Sequence, residues 1–217
     1  AFFVKWAQNI WIENTVLESG CSVWSNQINL QQSSEFHIVD NTHSGGGTSS
    51  GTLVLVDAAL GGGSAVITGN RFGGTYTGCI DFGGSGWDNI IITGNKCHHS
   101  GGTPTVDLTG TGIKITDTTA NNGIIAGNIV RRFATGLDIA SGVSNVFAFG
   151  NLLSDNTTAY AAAAYYNNLP DPLVVGPPEA VVVSGTMRAF NNTLAGYTAR
   201  DGDSDVETFF GAVDNNK

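Results

Sequence analysis

The stretch Ile90-Ile91-Ile92-Thr93-Gly94-Asn95-Lys96-Cys97 decides the reading of this chain. Four β-branched residues in a row favour a strand. Gly-Asn then stops it, because both residues tolerate the left-handed backbone that a sharp corner needs. After the corner, Cys97 resumes an apolar pattern. The same arrangement recurs as Ile10-Trp11-Ile12-Glu13-Asn14-Thr15-Val16, Phe36-His37-Ile38-Val39-Asp40-Asn41 and Val66-Ile67-Thr68-Gly69-Asn70-Arg71-Phe72. It returns in Ile124-Ile125-Ala126-Gly127-Asn128-Ile129-Val130, Val146-Phe147-Ala148-Phe149-Gly150-Asn151-Leu152-Leu153 and Arg188-Ala189-Phe190-Asn191-Asn192-Thr193-Leu194. The anchors are Asn14, Asn41, Asn70, Asn95, Asn128, Asn151 and Asn192, spaced by 27, 29, 25, 33, 23 and 41 residues.

A second mark keeps step with the first. It reads Gly51-Thr52-Leu53-Val54-Leu55, Thr77-Gly78-Cys79-Ile80-Asp81-Phe82, Thr111-Gly112-Ile113-Lys114-Ile115 and Thr135-Gly136-Leu137-Asp138-Ile139, with a degenerate copy at Thr158-Ala159-Tyr160-Ala161-Ala162. The third residue before each anchor is usually apolar (Trp11, Ile38, Ile67, Ile92, Ile125), and so is the second after it (Val16, Phe72, Cys97, Val130, Leu153, Leu194). Lone short strands cannot bury such a face, whereas stacked coils can, each strand pairing with its equivalent one repeat away. The expected fold is all-β: a right-handed parallel β-helix, or β-solenoid, of about seven coils with Asn/Gly corners. The expected division is a β-helix over residues 1–163, and over 164–217 a Pro-rich excursion, a final coil and an acidic tail. The first anchor copy begins within ten residues of Ala1 with no amphipathic capping helix, so an upstream continuation or a covering partner is expected there.

Composition agrees. Among 217 residues there are 30 Gly and 20 Asn, and charged residues make up only 12%, against a usual share of about 25%. With 41% hydrophobic residues the chain is not of disordered type. Gly without a three-residue period excludes collagen, and abundant Gly and Asn argue against a helical bundle. Formal net charge is −9, from 9 basic and 18 acidic residues. The basic residues are scattered along the chain, so neither nucleic-acid binding nor polybasic membrane binding is expected. No apolar run approaches the roughly 18 to 20 residues of a membrane span. The amino-terminal residues lack the pattern of a signal peptide. Three cysteines, Cys21, Cys79 and Cys97, are too few and odd in number for a disulfide framework, and are read as buried thiols.

The Gly-Asn corners with their flanking apolar strands resemble right-handed parallel β-helix proteins of the pectin-lyase-like kind, over about residues 8 to 163. The virion-spike and tailspike members are the most similar. The resemblance implies that the anchor Asn side chains stack as a ladder along one corner. It also makes the outer face of a sheet the usual place for polysaccharide.

Aligning the second mark places Val54, Asp81, Lys114 and Asp138 at one outward position of successive coils. Carboxylates two strand spacings apart, roughly 9 to 10 Å, fall near the range of inverting glycosidases. Asp81, Lys114 and Asp138 are therefore the candidate catalytic residues. Arg71 and Lys96 follow anchors in adjacent coils, with Arg131 and Arg132 near the next, and form a candidate site for acidic sugars. Trp87, in a Gly-rich loop, is the candidate sugar-stacking ring, while Trp11 is assigned to the core. No metal site or other cofactor is expected. Asp201, Asp203 and Asp205 begin like a calcium loop, but Val206 and Ala212 stand where an EF-hand needs Gly and Glu. Gly-His-Gly, adjacent Asp-Asp and Arg-x-Pro-x-x-Arg, the catalytic patterns of pectin-degrading relatives, are missing, as are a P-loop and a Ser-centred elbow.

Two functions follow as expectations. The first is a virion spike or capsid-decorating β-helix, homotrimeric, in contact with other virion proteins and with cell-surface polysaccharide. The second is a polysaccharide lyase or glycoside hydrolase, secreted and acting through carboxylates on an exposed sheet.

Overall fold

Each Gly-Asn corner joins two short strands, and each strand pairs with its equivalent in the neighbouring coil. A computed structural model describes residues 2–19, 23–24, 26–45, 48–49, 51–59, 63–74, 76–99, 109–116, 121–140, 143, 146–162, 173–175 and 194–195. Asn192 and the carboxylates Asp201, Asp203 and Asp205 lie outside these residues.

The chain opens with β1 (Phe2–Lys5), β2 (Gln8–Glu13), β3 (Val16–Ser19) and the short β4 (Val23–Trp24). Next come the long β5 (Ile28–Val39), β6 (Thr42–Gly45) and the short β7 (Thr48–Ser49). One coil follows as β8 (Thr52–Ala59), β9 (Gly63–Thr68) and β10 (Arg71–Gly74), and another as β11 (Gly78–Phe82), β12 (Trp87–Thr93) and β13 (Lys96–His99). Then come β14 (Thr111–Ile115), β15 (Asn121–Ala126) and β16 (Ile129–Arg131), and after them β17 (Thr135–Ile139), β18 (Val146–Phe149) and β19 (Leu152–Ser154). The stack continues in β20 (Thr158–Ala162), β21 (Leu173–Val175) and β22 (Leu194–Ala195). Among the described residues every element is a strand, and every pairing between coils is parallel.

Three faces result. Sheet A stacks β1, β5, β8, β11, β14, β17 and β20. Sheet B stacks β2, β5, β9, β12, β15 and β18. Sheet C stacks β3, β6, β10, β13, β16, β19, β21 and β22. The long β5 serves both A and B, because left-handed backbone at Gln32 (φ 47) and Glu35 (φ 55) turns it from one sheet to the other. The all-β parallel solenoid read from the repeat is the observed fold.

Inward residues from all three sheets form one core, including Leu30, Ile38, Ile67, Ile92, Ile125 and Val130. The corner between B and C is where the Asn residues stack. Asn95 Oδ1 accepts from Asn70 N (3.1 Å) and Asn70 Nδ2 (2.8 Å), while Asn95 Nδ2 donates to Ile67 O (2.8 Å) and Asn128 Oδ1 (3.0 Å). Asn41, Asn70 and Asn128 repeat this pattern, and Asn151 closes the ladder by donating to Ile125 O. All five are buried, so these bonds satisfy amides that would otherwise be costly.

Asn14 is not a rung. It is exposed, with φ 49, and takes the left-handed place that Gly69, Gly94 and Gly127 take in later coils. Thr15 holds the rung position, its N–H donating to Asn41 Oδ1 at 3.0 Å. The true register is one residue on, and in a strand a one-residue slip reverses inside and outside. Ile12 and Leu17 are therefore core, while Trp11 (60% exposed) and Val16 (67%) face outward. The assignment of Trp11 to the core is corrected for that reason.

Cys79 and Cys97 form a disulfide, with Cα atoms 6.1 Å apart. This corrects the reading of free thiols for these two. The coil folds back on itself, so β11 and β13, its first and last strands, face each other across the core and bring residues 18 apart into contact.

Candidate functional site

On sheet A the outward column runs Asn29, Leu55, Asp81, Lys114, Asp138, Ala161. Asp81, Lys114 and Asp138 are thus brought together, with Gly78 standing in register with Thr111 and Thr135 rather than with Gly112 and Gly136. Val54 is not in the column. Thr52, not Gly51, pairs with Gly78, which turns Val54 into the core and Leu55 outward. Adjacent strands stand about 4.8 Å apart, which puts the two aspartates on either side of the lysine.

Both carboxyls are half-buried. Burial pushes the Asp81 pKa up, Lys114 opposes this and Asp138 adds to it. Burial also raises Asp138, again with Lys114 opposing. Lys114 makes no direct ion pair with either among the described residues, so it acts through its field. Carboxyl groups that hold protons above their ordinary range are suited to acid–base work.

Sheet C presents the basic residues. Arg71 and Lys96 are register neighbours on β10 and β13, both exposed. Two residues on, Gly73, His98 and Arg131 form the next outward column. Arg132 stands at the trailing corner with φ 65. Arg131 Nη2 meets Asp155 Oδ2 at 2.7 Å, and both side chains are nearly half exposed. Residues scattered in sequence therefore converge, because the coil length returns each position to the same face. His98 belongs to this group. Its position two residues after Lys96 is the signal that could have found it.

Trp87 is not on this surface. It is fully buried, packed against Phe36 (ring centroids 5.2 Å apart) and Phe82 (5.7 Å). The Gly-rich loop delivers Trp87 to the start of β12, in register with Gly63 and turned into the core. Its assignment as a sugar-stacking ring is corrected accordingly.

Sheet B carries an apolar ladder missed in the sequence. Its outward column is Trp11, His37, Val66, Ile91, Ile124 and Phe147. Trp11 and His37 stack at 3.8 Å with planes 4° apart. Ile91, Ile124 and Phe147 are 37%, 41% and 37% exposed. Beside them run Glu13, Val39, Thr68, Thr93, Ala126 and Phe149, so Glu13 is the only acid or base in that column.

The described residues hold no group of three or more metal-ligating side chains, and no helix of the structure is long and apolar enough to cross a membrane. Comparison with known proteins finds no matching family model, no matching curated protein and no matching solved structure.

Proposed function

We propose that this protein is a surface-attachment β-solenoid of the virion-spike kind, which associates as a homotrimer and recognises an acidic cell-surface polysaccharide. The observation that carries the reading is the apolar ladder of sheet B. Exposed apolar residues contiguous along a whole face mark an interaction surface. A second and third copy of the same flat face are suitable cover, since the ladder is nearly uncharged and extends over six stacked strands from β2 to β18. The Cys79–Cys97 disulfide suits an extracellular particle, because such bonds persist in oxidising surroundings. The basic face of sheet C supplies the contact with acidic sugar, and other virion proteins remain the expected neighbours.

Light scattering on the purified chain tests the assembly. A trimer is expected for the parent protein. Ile91→Lys with Ile124→Lys should give a folded monomer with unchanged circular dichroism. A parent chain that is monomeric at every concentration removes the spike reading.

The second reading is a secreted polysaccharide lyase or glycoside hydrolase. The observation that favours it is the pair of raised carboxyls flanking Lys114 on sheet A. Any cleavage of an acidic polysaccharide that persists in Asp81→Asn with Asp138→Asn excludes this column as the catalytic site.

A further inference from the structure

Three of the nine basic residues in a chain of net charge −9 meet on one face, with a histidine beside them. Arg71 and Lys96 lie side by side. In the column beside them Gly73 leaves a gap next to His98, and Arg131 follows one strand beyond His98. A Cβ placed on Gly73 would meet only the His43 carbonyl oxygen, at 3.7 Å, so the space over Gly73 is open. The result is a shallow recess with cations on its rim and a histidine at its edge.

We propose that this recess on sheet C is a subsite for an anionic sugar group, a sulfate or a carboxylate, seated over Gly73 and held by Arg71, Lys96, His98 and Arg131, and that its grip tightens in acid as His98 gains a proton. The inference rests on the acidic-glycan reading above and adds its place and its pH dependence.

The groups around His98 support it. From its own strand Lys96 and the buried His99 face it, from β16 Arg131, and from the corner Arg132. Burial first, then Arg131, Arg132, Lys96 and His99, keep the His98 imidazole below its ordinary pKa of 6.5. Among the described residues the carboxylate at this end, Asp155, is engaged with Arg131. Arg71 and Lys96 form no ion pair among the described residues. Beneath the ring, Tyr76 Oη donates to His98 O at 3.2 Å and fixes the backbone. His99 points inward instead, packed on Tyr76 and Phe133. A bound anion offsets the positive field, which raises the proton affinity of His98. By linkage the protonated form then binds the anion more tightly, so affinity rises as pH falls below the ordinary histidine value.

The test is calorimetric titration of the full chain with a sulfated oligosaccharide, whose charge does not change with pH, at about pH 8 and about pH 5. Thermal melts at both pH values keep folding separate from binding. Binding is expected at both, about tenfold tighter in acid, as a coupling of one pK unit gives. His98→Gln should keep the alkaline affinity and lose the acid gain. Gly73→Leu should fill the recess and abolish binding with an unchanged melting temperature. Arg71→Gln with Lys96→Gln should weaken it at both pH values.

Equal affinity at both pH values, or an acid gain that survives His98→Gln, overturns the pH-tightened site and leaves glycan recognition standing. Binding that survives both Gly73→Leu and the Arg71/Lys96 pair places the sugar elsewhere and overturns the subsite. Inorganic phosphate binding as tightly as the oligosaccharide overturns the sugar assignment. If neither a sulfated oligosaccharide nor a polyuronate binds at either pH, the subsite and the recognition reading fall together.

Discussion

Asn95 shows what one side chain does in this fold. Its amide takes part in four hydrogen bonds, two accepted from Asn70, one donated to Ile67 O and one to Asn128 Oδ1. Alanine there leaves buried donors of Asn70 unpaired, at a cost of about 1 to 3 kcal/mol for each. Asn95→Ala should therefore lower the urea midpoint clearly, while Asn14→Ala, outside the ladder and exposed, should cost much less. An equal loss in the two variants would contradict the assignment of Thr15 as the first rung. The residue before each rung has its own requirement. Gly127 has φ 63 and open space where a Cβ would stand. Gly127→Ala isolates the left-handed penalty, about 1 to 2 kcal/mol, read from the same denaturation curves. Asn14 satisfies that same backbone requirement, which is why the sequence pattern placed it with the rungs. Corner Gly-Asn is unambiguous, but Asn-Thr offers two residues, and only the hydrogen bond to Asn41 separates them.

At the scale of elements, β11, β14 and β17 set Asp81, Lys114 and Asp138 side by side, and burial there raises both carboxyl pKa values while Lys114 opposes the rise. A folded pKa above the unfolded value means that the folded state binds protons more tightly. The resulting stability is complete below the ordinary aspartate value of 3.8 and is lost as pH rises through the raised folded values. At neutral pH both residues therefore cost stability. Asp81→Asn should raise the melting temperature at about pH 7 and leave it nearly unchanged well below the ordinary aspartate pKa. No gain at neutral pH would mean the carboxyl is not held as described. His43 acts in the opposite sense. Burial lowers its pKa, so the stability it supports is present above 6.5 and is lost as pH falls below that value. The sheet A column was legible in the sequence because the Thr-Gly marks of β14 and β17 coincide in register. It failed at β8, because Gly78 of β11 stands in the threonine column with Thr52 and Thr111, so matching Gly51 to Gly78 displaces β8 by one residue.

For the whole molecule, stability in a solenoid is close to a sum of coils and the interfaces between neighbours. One coil here is closed on itself, since Cys79–Cys97 ties β11 to β13 across the core. A loop of this size is worth about 3 kcal/mol in the chain-entropy account. Cys79→Ser with Cys97→Ser should lower the unfolding free energy by about that amount, and a reductant should do the same to the parent protein. If the reductant has no effect on the parent while the bond is shown to be open, the tie does not stabilise the coil. The three faces then divide the chemistry: acidic on A, apolar on B, basic on C.

The sequence by itself determined the stacking. A Gly-Asn corner in most turns, in step with a Thr-Gly mark, allows few arrangements other than parallel coils, because short apolar strands have nowhere else to bury their faces. Which side of each strand faces water was decided by the tertiary structure where the marks were degenerate. A period-two element converts a one-residue ambiguity into a reversal of every side chain, as Trp11 and Val54 show. The fate of Trp87, the pairing of Cys79 with Cys97, and the meeting of Arg71, Lys96, His98 and Arg131 were also tertiary decisions. Each depends on how many residues a coil spends between its corners, and it is that length which sets what faces what across the core and along each sheet.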